Sequence, residues 1–220
     1  MTPVERSEGD QTPTSTRLVL LRHGQTPLSV DRRYSGRDDV ALTPLGAEQA
    51  ARAAARLANW PVSAIICSPL QRTRQTAAPL AAATGLPVTV DEGLIETDFG
   101  EWEGLTFTEA AQRDPELHRA WIGDTTLAPP GGESFADTQE RVAAARARIV
   151  AAHPGQTVVL VSHVTPIKSM LREALGVGPE LLYGLHLDLA SVSLVEFFVD
   201  GGSVGRLVND TSHLRSYPLA

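Results

Sequence analysis

Two apolar runs in this chain end in the same way. Leu18-Val19-Leu20-Leu21 runs into Arg22-His23-Gly24, and Val158-Val159-Leu160-Val161 runs into Ser162-His163. Short apolar runs of this kind read as buried strands. Each one hands a histidine to a strand-to-helix loop, and the carboxyl edge of an open α/β sheet is where ligands sit. A guanidinium fork beside an imidazole suits an oxyanion, phosphate above all, which arginine grips bidentately. The His23 imidazole is then placed to attack phosphorus.

The intervening sequence supplies the rest of an α/β alternation. After a polar loop from Gln25 to Leu42, Thr43 as N-cap and Pro44 at the first helical position open a helix to Asn59. Val62 to Cys67 reads as a strand. Ser68-Pro69 repeats the cap-plus-proline signal for a helix to Thr84, stopped by Gly85, in which Pro79 predicts a kink. Leu86 to Val90 is a short third strand. Beyond the acidic segment Gly93–Gly104, short helices are expected around 108–113 and 115–122. Ser134 with Asp137 makes a capping box for a long helix ending near His153, and Thr165-Pro166 caps another to about Leu175. Two alternating runs, 191–199 and 204–209, flank Asp200-Gly201-Gly202 and read as a hairpin at one sheet edge. The fold expected is a three-layer α/β/α sandwich, with a mostly parallel central sheet and a C-terminal antiparallel edge hairpin.

At 220 residues and 42% hydrophobic, the chain can bury one sizeable core. Residues 1–16 are polar and lack an apolar segment, so they are expected to form a disordered tail, with one domain over 17–220. A net charge of −7 argues against a nucleic-acid or anionic-membrane surface. No stretch approaches the roughly 18 apolar residues that span a bilayer. The single cysteine, Cys67, follows Ile65-Ile66 and reads as a buried small hydrophobe rather than a nucleophile; cytoplasm is the expected compartment. Against this acidic background the arginines cluster, with Arg22, Arg32, Arg33 and Arg37 in one stretch and Arg72 and Arg74 in another, which can focus a positive field on one cleft.

Two further segments have chemical character. Arg72 falls in the first turn of a helix that directly follows a strand, where free N–H groups and the helix dipole favour anions. The loop from Glu96 to Gly104 carries four carboxylates, Glu96, Asp98, Glu101 and Glu103, and no basic residue; one of these near a phosphate could serve as general acid. No His, Asp or Glu spacing suggests a metal cage, so neither metal nor cofactor is expected.

The segments LVLLRHGQT, SPLQRTRQTA, LIETDFGEWEG, PPGGESF and VVLVSHVTPIK, in this order over Arg17 to Asn209, resemble the histidine phosphatases of the phosphoglycerate-mutase-like superfamily. Within it the chain looks most like the acid-phosphatase domain fused to ribonuclease H in actinobacterial proteins, and like α-ribazole phosphatases. The resemblance implies a metal-independent phosphomonoesterase acting on a small phosphate ester. By motif position His23 would be the nucleophile that becomes phosphohistidine; Arg22, Arg72 and His163 would bind the phosphoryl oxygens; and Glu96 would protonate the leaving oxygen and later activate water. It also implies fusion to a ribonuclease H domain in a longer parent. Oligomeric state has no signal in the sequence.

The chain departs from the pattern at four positions. Ser29 replaces a common asparagine and Ser35 a frequent glutamine, both positions that often contact phosphate. Val164 replaces glycine after the second histidine; its N–H can still serve, while its bulk narrows the pocket. Gln25 replaces a frequent glutamate. Two rival functions share these residues: a mutase, disfavoured by the 163 − 96 = 67 positions between Glu96 and His163, on the short side for those enzymes, and a non-catalytic phospho-ligand module, disfavoured because all five catalytic residues are present.

Overall fold

The computed structural model describes residues 14–215. In chain order these form β1 (Ser15–Arg22), α1 (Pro27–Val30), α2 (Pro44–Leu57), β2 (Val62–Cys67), α3 (Gln71–Thr84), β3 (Val88–Val90), α4 (Phe107–Arg113) and α5 (Pro115–Gly123). There follow α6 (Phe135–Ala152), β4 (Thr157–Ser162), α7 (Val164–Leu175), α8 (Leu181–Gly184), β5 (Val192–Phe198) and β6 (Ser203–Asp210). The strands make one six-stranded sheet in the order β3-β2-β4-β1-β5-β6. β3, β2, β4 and β1 are parallel, and β5 and β6 close one edge antiparallel. The three-layer sandwich with its C-terminal edge hairpin is the architecture expected from the sequence.

The central strands read as unbroken apolar runs because both faces are covered. Leu18 and Leu20 of β1 point to one side, against Val142 and Ile149 of α6 and Ile167 and Met170 of α7. Val19 and Leu21 point to the other, against Ala53 and Leu57 of α2 and Ala77 and Leu80 of α3. The alternation is the two-residue period of a pleated strand. Thus the chain leaves β1 toward a helix on one face and leaves the adjacent β4 toward a helix on the other. The crevice between two such connections is where α/β sheets bind ligands.

Several helix signals act as expected. Thr43 Oγ1 accepts from the Gly46 N–H at 3.0 Å, the Ser134–Asp137 capping box opens α6, and Gly85 ends α3 with φ +72°. Others differ. The N-cap of α3 is Leu70, without a side-chain bond, because the Ser68 hydroxyl is engaged by His163 instead. The N-cap of α7 is His163, and Thr165 lies inside its first turn. In both cases side chains that would cap a helix serve the crevice. Within the expected polar loop, Thr26 and Ser29 form a capping box around the single turn α1, too short to show apolar periodicity. β3 begins at Val88 rather than Leu86, and Pro79 lies inside α3. Of the expected tail, residues 1–13 lie outside the described residues. Ser15 and Thr16 belong to β1, where Thr16 is buried opposite Phe197 and donates to the His153 carbonyl at 2.9 Å. β-Branched threonine suits a strand whose polarity hides it from a hydrophobicity reading.

The loop after β1 is bolted to the start of α2. The Thr43 N–H donates to the Gln25 carbonyl at 2.9 Å, and the two backbones approach so closely that a Cβ on Gly46 would lie 2.1 Å from the Gln25 oxygen. In an open helix position Gly→Ala stabilises by about 1 kcal/mol. Here the clash with backbone prevails, and Gly46→Ala is expected to cost about 1–3 kcal/mol net, read as a lower midpoint in urea unfolding.

Candidate active site

Strand register brings the two histidines together. Arg22 pairs with Ser162 in the parallel β1·β4 ladder, and the His23 N–H donates to the Ser162 carbonyl at 3.0 Å. One residue beyond the ladder, the rings of His23 and His163 lie with centroids 5.2 Å apart. Arg22 and His23 line a cavity of about 260 Å³, with Glu96, Lys168 and Ser35 also in its wall.

His23 is buried, and its Nδ1 donates to the Gly24 carbonyl at 2.8 Å. A carbonyl can only accept, so Nδ1 carries the ring proton and Nε2 keeps its lone pair. Burial, then Arg22 and Arg72, holds the imidazole well below its usual pKa. His23 is therefore a neutral base with a free nitrogen at neutral pH.

Arg22 donates to the Leu187 carbonyl, and its buried Nε has no partner among the described residues. Burial lowers its pKa to about 10, and Glu96 and Asp188 oppose the shift. It stays cationic at neutral pH, so an unpartnered cationic donor sits in the cavity wall.

Arg72 and His163 are fully buried next to His23 and are not among the residues that line the cavity. Arg72 donates through Nη1 and Nη2 to the carbonyls of Asp38, Ser35 and Gly36, and through Nε to His163 Nδ1 at 3.2 Å. Since Nδ1 accepts, the proton of His163 is on Nε2, which donates to Ser68 Oγ at 2.7 Å. Burial, with Arg72 next, drives the His163 pKa well below its usual value.

Among the carboxylates of the acidic loop, only Glu96 reaches this cavity wall. It is 5% exposed and accepts from its neighbour Thr97 N–H at 2.9 Å and from Thr165 N–H, in the first turn of α7, at 3.3 Å. Glu103 instead accepts the Gly36 and Arg37 N–H groups, at 2.8 and 2.9 Å, and so fixes the loop whose carbonyls hold Arg72. Asp98 accepts from Gly100 N–H, and Glu101 pairs with Arg113 at the surface.

The serines that depart from the family pattern differ in what they offer. Ser29 Oγ lines the cavity but donates to the Thr26 carbonyl at 2.7 Å, so its proton is already used. Ser35 Oγ is buried in the wall without a partner. Val164 also lines the cavity. Cys67 is buried, and burial pushes its thiol up to about 11, which makes it inert as a nucleophile.

Sequence reasoning missed three contributors. Lys168 lines the cavity one helical turn after Val164, a spacing that puts both on the same face of α7. Arg141 donates to the Gly93 and Ile95 carbonyls, at 3.0 and 2.9 Å, and pairs with Glu133 at 2.8 Å, so α6 clamps the segment that carries Glu96. The far wall is apolar, with Phe99, Trp121, Phe135 and Leu182 drawn from a small cluster separate from the two cores on the sheet. These residues are scattered from 99 to 182 and have no local motif. Among the described residues, no group of three or more His, Cys, Asp or Glu is placed to hold a metal ion.

Comparison with known proteins agrees with this geometry. A Mycobacterium tuberculosis protein called bifunctional is 57% identical over 202 residues, which are 91% of this chain and 56% of that protein; the chain thus spans about half the length of that relative. The glucosyl-3-phosphoglycerate phosphatase of the same organism is 41% identical over 155 residues, 67% of this chain and 70% of that enzyme. The solved structure of Bacillus stearothermophilus YhfR superposes with a TM-score of 0.84 at 33% identity, over 91% of this chain and all (100%) of that one. The model of the histidine phosphatase superfamily (branch 1) matches residues 18–211, from the first strand through the last, and the chain belongs to that family.

Proposed function

We propose that the chain hydrolyses a small phosphate monoester through a phosphohistidine at His23, without a metal ion. The observation that carries this reading is the buried, neutral His23, with Nδ1 bound to a backbone carbonyl and Nε2 free beside the unpartnered Nε of Arg22. In this mechanism Nε2 attacks phosphorus and the ester P–O bond breaks, with Glu96 giving its proton to the departing alkoxide. Water then attacks the phosphohistidine, Glu96 takes the water's proton, and the P–N bond breaks to release phosphate. Phosphoryl transfer needs little covalent chemistry beyond position and charge. Arg22, with Arg72 buried next to His23, supplies positive potential in a site shielded from water, where fixed charges act strongly.

Arg72 Nε and His163 Nδ1 face each other at 3.2 Å. A phosphoryl oxygen that replaces this contact, with the two side chains moved apart, would accept from Arg72, and from His163 once Nδ1 takes up a second proton. A dianion favours that uptake. Ser35, with its free hydroxyl, is the better placed of the two serines to add a donor, and Val164 narrows the entry.

The relatives support hydrolysis by their names, glucosyl-3-phosphoglycerate phosphatase among them. An α-ribazole phosphatase is also a relative, at 31% identity over 181 residues. That the 57% identical relative is called bifunctional supports the further reading that such a domain is joined to a second one, of the ribonuclease H type, in a longer parent. No helix among the described residues is long and apolar enough to cross a membrane, and a cytoplasmic location is part of the same proposal.

His23→Ala is expected to abolish both turnover and acid-labile ³²P incorporation from labelled substrate. A phosphoenzyme that maps to His163 would reassign the nucleophile.

Glu96→Gln is expected to lose about 10²–10⁴-fold on alkyl phosphates, whose leaving oxygen needs a proton. In single-turnover phosphorylation by p-nitrophenyl phosphate, whose phenolate leaves unaided, the loss is expected to be much smaller. An equal loss on both would move the proton donor away from Glu96.

The ring states are open to nitrogen-15 NMR. Lowered pKa values mean that both imidazoles stay neutral as the pH falls through 6.5, with the proton of His23 on Nδ1 and that of His163 on Nε2. Vanadate, a mimic of the transferring phosphoryl, is expected to convert His163 to the doubly protonated form. Rings that protonate near pH 6.5 in the free enzyme would contradict the assignment.

A further inference from the structure

A second cavity, of about 490 Å³, adjoins the first and shares Arg22, Arg33, Tyr34, Val164 and Lys168 with it. Its remaining wall includes Arg32, Phe107 and His186. Three arginines and one lysine, Arg22, Arg32, Arg33 and Lys168, therefore surround one space in a protein whose net charge is −7. Among the described residues that line it there is no carboxylate.

The cations differ in how far they are already engaged. Lys168 Nζ spends one donor on the Leu182 carbonyl at 2.6 Å, which leaves two N–H groups. Arg33 is fixed by the Gly104 carbonyl and Glu109, both at 2.8 Å. Arg32 is exposed, has no carboxylate partner among the described residues, and is held in a left-handed backbone conformation, φ +54°. A non-glycine residue adopts that region at a cost, and Arg32 directly precedes Arg33, whose backbone bridges to Thr106. His186 lies 3.3 Å from Asp188, an exposed partner that offsets part of the field.

The geometry points to an anion-binding subsite for the leaving group: the substrate's alcohol half carries a second acidic group, a carboxylate or a second phosphate, that docks on Lys168 and Arg32. The inference rests on the reading of the first cavity as the phosphoryl site. It narrows the substrate class from any small phosphate ester to one that is charged at both ends. Lys168 lines both cavities, so a single ligand spanning them places its phosphoryl at Arg22 and His23 and its second anion beyond Lys168.

The test separates this subsite from the chemistry. In the His23→Ala background, which cannot turn over, calorimetry compares 3-phosphoglycerate with glycerol 3-phosphate, a pair in which a carboxylate replaces a hydroxymethyl group. It also compares propane-1,3-diol bisphosphate with 3-hydroxypropyl phosphate. The acidic member of at least one pair is expected to bind about tenfold or more tightly, since a hydrogen bond to a charged group contributes about 1.5–3 kcal/mol; which pair shows the preference tells carboxylate from phosphate. Adding Lys168→Met or Arg32→Ser is expected to shrink the preference, and Lys168→Arg to retain most of it. Equal binding within both pairs would overturn the subsite. So would variants that weaken both members of a pair equally, as loss of the Lys168–Leu182 tether alone would do. Hydrolysis of p-nitrophenyl phosphate by the unmodified chain tests the phosphatase reading separately, so either idea can fail alone.

Discussion

The site depends on one pairing, the parallel ladder between β1 and β4. Its register sets Arg22 opposite Ser162, and from that alignment alone His23 and His163 emerge side by side. A shift by one residue would turn every β1 side chain to the opposite face of the sheet, exchanging the sets packed under α6 and α7 with those under α2 and α3. The two cores therefore fix the register, and the register fixes the distance between the imidazoles. Core packing and the placing of the two histidines are one constraint here.

Burial then sets the chemistry. Two histidines and Arg72 are removed from water beside one another, and burial, with the arginine charges next, makes the protonated state of both imidazoles less favourable. Arginine keeps its proton under such pressure far better than imidazole does, so the histidines become the neutral partners. Backbone carbonyls decide which nitrogen each ring leaves free: Gly24 claims Nδ1 of His23, and the carbonyls of residues 35, 36 and 38 hold Arg72 so that its Nε meets His163. Glu103 in turn holds that loop through two N–H groups. A carboxylate whose sequence neighbourhood suggested acid catalysis thus acts as a brace, and Glu96 alone of its loop reaches the cavity wall that His23 lines.

The cavity itself is built between layers. Its polar end belongs to the sheet edge and the start of α7. Its apolar end belongs to a separate cluster drawn mainly from the segments between β3 and β4, with Leu182 of α8 added, in which Trp102 and Trp121 meet edge to face at 5.3 Å. Arg141 and Glu133 join the two by pinning the strand of backbone before Glu96 to α6 and to the loop beyond it.

What the sequence by itself determined is whatever has a local signature. Two-residue alternation beneath continuous apolar runs, threonine and serine caps, and the glycine stop of α3 fixed the strands, most helices and the layer order, because each is decided within a few residues of chain. Arg22, His23 and His163 at strand ends and Arg72 at a helix start could be singled out by position, whereas Glu96 was named among the acids of its loop only by the family resemblance. Only the tertiary structure decided which carboxylate of four faces the cavity, that Ser68 bonds a histidine instead of capping a helix, and that Ser29 spends its proton on Thr26 while Ser35 keeps one free. The same holds for Lys168, Arg141 and the aromatic wall. Each of these depends on which partner, tens of residues away, satisfies a buried polar group first, and that competition is settled by packing.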